Sequence, residues 1–227
     1  MSVWAFDIET GPASDQAIEA LAPEFKPEDV KTGNLTDLKK IADKVEGARV
    51  EHFAAIKKKA ALRAEYSELL ALGWSGPDGL EILHRDSTPE PKMLSIFWHA
   101  AQVAYQGGHT LAGHCIKTFD LPYLARRSFV HGVVVPRELR PQRLRFWPYM
   151  FFDTAEAWSF GDPQSRIGLD RLARFLGLEG KNGTGEHFGK LYNDDQVAAL
   201  AYLEQDLKVS KAVAEKLWQT LEAGGIE

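Results

Sequence analysis

An apolar segment that carries two acids, VWAFDIETGP at residues 3–12, constrains the fold of this chain more than any other feature. Because the side chains of a strand point alternately to its two faces, Asp7 and Glu9 share one face, just before the Gly-Pro pair that ends the run. The apolar members of the other face are Trp4, Phe6 and Ile8. Two interpretations follow. The acids lie on the exposed face of an edge strand, or they bind a ligand at the end of a packed strand, where the sites of open α/β sheets gather.

The segment at residues 13–64 differs from the rest of the chain in composition. It is rich in charge and alanine, and its prolines and glycines cluster in its first half. We expect a mostly helical insertion after the first strand, with a helix that begins near Asn34 or Thr36, two residue types that cap helices.

Strands and helices alternate through the remainder of the chain. The predicted elements are strands at about 66–74 and 80–84, a helix within 89–108, a strand within 109–116, a helix within 119–132, a strand within 149–158, a helix within 167–177 that ends at Gly177, a glycine-rich loop at 180–189 and a final helix at about 194–222. This order is typical of an α/β domain with a mixed central sheet flanked by helices. We predict one such domain over residues 1–227.

The composition excludes several classes of protein. A single cysteine leaves no internal disulfide and favours a reducing compartment, and no apolar run approaches the ~18 residues of a membrane span. No basic segment and apolar run precede the first strand, so we expect a cytoplasmic protein of a bacterium or a phage-infected host cell. The net charge of −5 argues against tight general binding of duplex DNA, but it permits an enzyme that holds a few nucleotides of one strand.

Asp206 lies within the apolar stripe of the last predicted helix. At 100° per residue, Ala199, Leu203, Val209, Val213 and Leu217 lie within about 60° of it, and Leu207, the next residue, borders the stripe at 100°. A carboxylate that faces the core needs a partner, because burying it unpaired costs several kcal/mol. The partner is either an arginine, such as Arg171 or Arg174, or a bound cation.

Asp120 follows a predicted strand and begins a predicted helix. Asp is a common N-cap, and Pro122 suits the first turn of a helix, so a capping role is the simplest interpretation. Capping does not exclude a second role as a ligand. Together, Asp7, Glu9, Asp120 and Asp206 supply the oxygen ligands that a pair of Mg²⁺ or Mn²⁺ ions requires.

Three segments resemble a known family: FDIETGP at 6–12, LAGHCIKTFDLPYLARRS at 111–128 and YLEQD at 202–206. They are similar to the three exonuclease motifs of the DEDD, or DnaQ-like, 3′–5′ exonucleases, which have a ribonuclease H-like fold. The third motif of that superfamily carries either a histidine five residues before its last Asp or a tyrosine four residues before it. Ala201 and Tyr202 stand at these positions, so the chain resembles the tyrosine (DEDDy) branch, and in particular stand-alone exonucleases similar to the proofreading domain of family B DNA polymerases.

The resemblance implies a metal-dependent 3′–5′ exonuclease that acts on single-stranded DNA and releases nucleoside 5′-monophosphates. The four acids would hold two divalent ions, with Asp7 between them, and Tyr202 would orient the attacking water. An exoribonuclease, or a non-catalytic nucleic-acid-binding module that serves a polymerase, remains an alternative. A separate polymerase or a replication or repair protein is a candidate partner, in proofreading or in DNA repair.

Substrate contacts are expected outside the acids. The candidates are Thr10, Cys115, Phe119, Arg140, Arg143 and Lys181. Arg140 and Arg143 belong to an arginine-rich stretch followed by Phe-Trp, a combination that suits phosphates and bases, although a solvated loop explains it equally well. Cys115 stands where the second motif of the family usually has Asn, which bears on efficiency or substrate rather than on the metal ligands.

Overall fold

The computed structural model of the chain describes residues 2–140, 150–180 and 188–222. The strands of its sheet are β1 (Val3–Pro12), β2 (Ser67–Gly76), β3 (Gly79–His84), β4 (Thr110–Gly113) and β5 (Phe151–Asp153). Their order across the sheet is β3-β2-β1-β4-β5. Since β1, β4 and β5 are parallel and β2 is antiparallel to β3, the sheet is mixed, as predicted.

Helices follow the strands in the order that the sequence predicts. In the described part of the chain the α-helices are α1 (Asp15–Leu21), α2 (Leu38–Lys57), α3 (Glu90–Gln106), α4 (Asp120–His131), α5 (Thr154–Ser159), α6 (Leu169–Phe175), α7 (Phe188–Asp194) and α8 (Gln196–Glu222). Among these helices, none has both the length and the apolar character needed to cross a bilayer.

The chain divides into two compact units. One comprises Met1–Thr10 and Leu69–Glu227, and the other comprises Gly11–Glu68. The second unit corresponds to the predicted insertion at 13–64 and contains α1 and α2. The grouping of both units into one domain stays a prediction.

The structure corrects several local predictions. α2 begins after Asp37, whose carboxylate accepts two backbone N–H groups of the first turn, rather than after Asn34 or Thr36. β1 continues through Pro12 instead of ending before the Gly-Pro pair. α1 forms in the proline-rich half of the insertion, and α7 begins within the segment predicted as a glycine-rich loop.

β1 is the central strand, and both of its faces are covered. On one face, the Phe6 ring lies 5.2 Å from that of Phe97 on α3. On the other face, Val3 and Ala5 pack with Ala214 of α8. The interpretation of Asp7 and Glu9 as residues on the exposed face of an edge strand is therefore wrong.

Close approach of β1 and β4 requires a glycine at position 113. A Cβ atom there would lie 2.7 Å from the carbonyl oxygen of Phe6 and 2.4 Å from the side chain of Ile116. We expect Gly113→Ala to lower the free energy of unfolding by about 1–3 kcal/mol, the usual cost of overpacking a core, in urea denaturation. Gly47→Ala is the control, because that glycine lies inside α2 with open space around it, and alanine favours helix by up to about 1 kcal/mol. A Gly113→Ala protein as stable as the wild type would contradict this account.

Candidate metal centre

β1 presents two acids to the face of the sheet that α8 covers. Asp7 is half-buried and Glu9 is buried, two and four residues respectively beyond the Ala5 that packs with α8. Because β1 is parallel to β4 and β5, its carboxyl end lies at the same edge of the sheet as theirs. Sites of open α/β sheets form at this edge.

Asp206 faces the sheet from α8, as its helical periodicity predicts. It is 2% exposed, and its predicted apolar neighbours Ala199, Leu203, Leu207, Val209 and Val213 are also buried, whereas Leu217 is half-buried. One oxygen each of Asp7, Glu9 and Asp206 lies within 4.8 Å of the other two. Residues far apart in sequence thus form one cluster of three carboxylates.

The arginines proposed as partners of Asp206 lie elsewhere. Arg174 pairs with Asp170 on its own helix, with 2.9 Å between Nε and Oδ1. Arg171 is exposed. Of the two interpretations of the buried Asp206, the structure favours a bound cation.

Asp120 joins the cluster from the start of α4. It is 2% exposed and is the first residue of the helix, whereas Phe119 occupies the N-cap position, so the predicted capping role is wrong. The backbone N–H of Ile8 donates to Oδ1 of Asp120 at 3.2 Å and to Oδ1 of Asp7 at 3.0 Å. Asp120 therefore lies next to Asp7, beside the group formed by Asp7, Glu9 and Asp206.

Burial and like charge raise the pKa of Asp120. Burial contributes most, followed by the negative charge of Asp7, and the N–H of Ile8 opposes both in part, so the pKa of Asp120 lies well above its usual range. A carboxylate cluster of this kind is unfavourable for folding by itself. It becomes favourable when a cation is bound.

Without metal, Asp120→Asn is therefore expected to stabilise the fold. The pKa of Asp120 is higher in the folded than in the unfolded protein. Between these two pKa values, the folded protein keeps a proton on Asp120 that the unfolded protein has lost. The free energy of unfolding therefore falls as the pH rises through this range. In EDTA at pH 8, we expect Asp120→Asn to have a higher free energy of unfolding than the wild type, because Asn has no charge to bury. The gain should shrink towards pH 4. Urea denaturation at both values checks this, and a variant less stable than the wild type at pH 8 would refute it.

Tyr202 lies one turn before Asp206 on α8, with its hydroxyl in the cluster. The hydroxyl is hydrogen-bonded to the Asp206 carboxylate, and the ring is buried with its centroid 6.2 Å from that of Phe188. Burial, and then the charges of Asp206 and Glu9, raise the pKa of Tyr202 above its ordinary value. The phenol therefore stays protonated at neutral pH and donates a hydrogen bond.

The donor set fits a hard divalent cation. Mg²⁺ and Mn²⁺ prefer carboxylate oxygens, and three ligand atoms within 4.8 Å of one another can reach one ion. The negative charge of Asp7, after burial, helps to raise the pKa of Asp120, and a bound cation would offset that charge. Asp7, Glu9, Asp120 and Asp206 are thus the residues that would hold the metal.

The predicted substrate contacts fall into three groups. Thr10 and Phe119 are half-buried and each adjoins one of the acids in sequence, and the Phe119 ring lies 5.7 Å from that of Tyr123. Arg140 is exposed. Arg143 and Lys181 lie outside the described residues, so their proposed roles stay predictions.

Cys115 lies beside the cluster in an unusual backbone conformation. Its φ of +65° is in the left-handed region, which glycine and asparagine tolerate better than other residues do. The Asn expected from the family resemblance would suit this backbone. Burial, and then the charges of Asp153 and Asp120, raise the pKa of the Cys115 thiol to about 11, so the side chain is uncharged at neutral pH.

Asp153, the last residue of β5, is not among the site residues predicted from the sequence. It is 3% exposed and lies level with Gly113 at the edge of the sheet where the acids gather. Its place at the end of a predicted strand was visible in the sequence. However, only the three-dimensional contacts distinguish it from an ordinary helix cap.

Comparison with solved structures identifies the fold. The chain is similar to the family B DNA polymerase from the hyperthermophilic archaeon Pyrobaculum calidifontis, with a TM-score of 0.60 and 19% sequence identity. It has a ribonuclease H-like α/β fold. The similarity covers 97% of this chain and 25% of the polymerase chain, so this chain spans about a quarter of that protein. No family model and no curated protein matches the chain.

The ribonuclease H-like fold confirms the fold class predicted from the order of strands and helices. In that fold the carboxylate cluster occupies the carboxyl ends of the parallel strands β1, β4 and β5, under α8. The geometry of the acids and the likeness of the fold are independent observations. Together they place a group of acids that could hold a metal ion at the carboxyl edge of this sheet.

Proposed function

We propose that this protein is a metal-dependent 3′–5′ exonuclease that hydrolyses single-stranded DNA from its 3′ end. The proposal rests on the convergence of Asp7, Glu9 and Asp206. Asp120 lies beside them, because it accepts the same backbone N–H group, that of Ile8, as Asp7 does. The similarity of the fold to a DNA polymerase supports nucleic acid as the substrate.

The four carboxylates would hold two Mg²⁺ or Mn²⁺ ions. Such ions supply a water of lowered pKa and compensate charge on the leaving 3′ oxygen. The protein contributes the arrangement of the ligands, since β1, α4 and α8 bring them together. Cleavage of the bond between phosphorus and the leaving 3′ oxygen keeps the phosphate on the released nucleotide, so the products are nucleoside 5′-monophosphates.

Tyr202 would orient the attacking water through its hydroxyl group. Its raised pKa makes the phenol a poor base at neutral pH, so orientation by a hydrogen bond is the better role. We expect Tyr202→Phe to lower kcat about 10- to 100-fold, because a hydrogen bond that involves a charged group contributes about 1.5–3 kcal/mol. Calorimetry of Mn²⁺ binding is the control and should change less than threefold. Wild-type kcat in Tyr202→Phe would remove this residue from the mechanism.

The proposal is tested with oligonucleotides labelled at either end. In Mg²⁺ or Mn²⁺, a 5′-labelled single strand should shorten one nucleotide at a time, and a 3′-labelled strand should release labelled mononucleotide at once. RNA and duplex DNA of the same sequence test substrate preference. Shortening from the 5′ end, internal cleavage, or a rate that EDTA leaves unchanged would overturn the proposal, and faster hydrolysis of RNA would favour the exoribonuclease.

A further inference from the structure

The carboxylate of Asp153 binds two different parts of the backbone at once. Oδ1 accepts the N–H groups of Ala155 (3.0 Å) and Glu156 (3.3 Å) and so caps α5. Oδ1 also accepts the N–H of Cys115 at 3.0 Å, and Oδ2 accepts that of Lys117 at 2.9 Å. A helix cap needs only the first two bonds. The other two fasten the carboxyl end of β5 to the segment between β4 and α4.

The fastened segment leads directly to Asp120. The carbonyl of Cys115 accepts the N–H groups of Thr118 (3.0 Å) and Phe119 (2.9 Å), and the carbonyl of Ile116 accepts that of Leu121 (3.0 Å). The segment is thus a compact turn that leads directly into the first residues of α4. Because these bonds join Cys115 and Ile116 to the first residues of α4, a shift of Cys115 would move the start of the helix, where Asp120 lies.

The hydrogen bonds to Asp153 offset backbone strain at Cys115. A non-glycine residue in the left-handed region is strained and persists only where its surroundings hold it. The turn aims two N–H groups, those of Cys115 and Lys117, at a single buried carboxylate, which is how backbone nests bind anions. Asp153 supplies the anion from within the protein.

We propose that Asp153 is a positioning residue, which holds the β4–α4 segment so that Asp120 meets Asp7 at the shared N–H of Ile8. It does not bind metal in this account. The consequence for catalysis rests on the proposed function, whereas the positioning of the segment does not. A residue that orients a metal ligand without binding the metal itself typically contributes 10- to 100-fold to metal affinity or activity.

Two substitutions separate positioning from helix capping. Asp153→Ser retains a side chain that caps α5 but is too short to reach Lys117. Asp153→Asn retains the length and one oxygen, but its NH₂ group cannot accept a second N–H. Asp162→Ser is the matched control, because Asp162 also caps a helical turn, through the N–H of Gln164 at 2.9 Å.

The decisive measurement is amide hydrogen exchange in the metal-free protein. We expect protection at Cys115 and Lys117 to fall about tenfold or more in Asp153→Ser, with protection at Glu156 retained and the Asp162→Ser protein unchanged at all three. In Asp153→Asn, the loss should be concentrated at Lys117. Wild-type protection at Cys115 and Lys117 in both variants would overturn the proposal, and so would a uniform loss across α5 and the segment.

Mn²⁺ affinity provides the second readout. We expect calorimetry to show binding about 10-fold weaker or more in Asp153→Ser, and unchanged in Asp162→Ser. Wild-type affinity in Asp153→Ser would overturn the role of Asp153 in ligand orientation. If the wild type cleaves no nucleic acid, the proposed function fails while the exchange result still decides the positioning role. If Asp153→Ser does not fold, Asp153→Asn carries the same comparison at Lys117.

Discussion

Asp206→Asn will lower the rate of hydrolysis of a single-stranded oligonucleotide at least about a thousandfold, and Asp7→Asn will do the same. Metal ions contribute several kcal/mol of charge stabilisation to phosphoryl transfer, and each 1.36 kcal/mol is a factor of ten in rate. Asn keeps the size of Asp206 and Asp7 but removes the charge that would hold the ion. Single-turnover assays with saturating enzyme and Mg²⁺ measure the loss.

The control for this result is Glu204→Gln. Glu204 lies two residues before Asp206 on the same helix, but it is partly exposed and pairs with Lys208 rather than with the cluster. The rate of hydrolysis by Glu204→Gln should stay within about twofold of the wild-type rate, since exposed ion pairs contribute little to stability. Asp206→Asn should also remain folded in EDTA. Wild-type activity in either Asp7→Asn or Asp206→Asn would assign the hydrolysis to another site or to a contaminant.

Saturating Mn²⁺ will raise the melting temperature of the metal-free protein by several degrees, and EDTA will abolish hydrolysis. A ligand at 100 times its Kd stabilises the folded state by about 2.7 kcal/mol. For a chain of this length, each kcal/mol raises the melting temperature by roughly 2–4 °C, so we expect about 5–10 °C. Binding to the cluster relieves the repulsion that raises the pKa of Asp120.

Asp7→Asn is the matched variant for the thermal experiment, with Glu204→Gln again as the control. Differential scanning fluorimetry with Mn²⁺, Mg²⁺ and EDTA should give a large shift for the wild type and for Glu204→Gln, and a shift near zero for Asp7→Asn. Equal shifts in all three proteins would place the stabilising ion outside the carboxylate cluster.

Periodicity alone predicted the orientation of the most distant ligand. Asp206 lies in an apolar stripe because a helix repeats every 3.6 residues, and the structure places it, 2% exposed, against the acids of β1. The two-residue period of β1 likewise placed Asp7 and Glu9 on one face. These arguments succeed because local geometry and burial point in the same direction.

The sequence could not reveal how Asp120 is held. Asp at the start of a helix, followed by Pro122, has the local pattern of an N-cap, but the side chain instead accepts the N–H of Ile8, more than a hundred residues earlier. Asp153 shows the reverse case. It has the pattern of a cap, it does cap α5, and it also binds a loop that only the folded sheet brings near. A tertiary hydrogen bond has no signal in local sequence.

The start of α2 was predicted wrongly because several neighbouring residues can cap a helix. Asn34, Thr36 and Asp37 all belong to the residue types that cap helices, and the sequence does not determine which side chain reaches the free N–H groups. Asp37 directly precedes the first helical residue and accepts two of them. Boundaries depend on such geometry, whereas the existence of a long helix depends on composition over many residues.

Crystals of the protein soaked in Mn²⁺ test the central claim most directly, because anomalous scattering locates the ion without reference to activity. We predict Mn²⁺ bound by oxygens of Asp7, Glu9 and Asp206, with Asp120 completing the site, at about 2.0–2.3 Å from its ligands. Ordered Mn²⁺ elsewhere in the molecule with none among these carboxylates, or a lysine or arginine side chain filling the cluster, would contradict it.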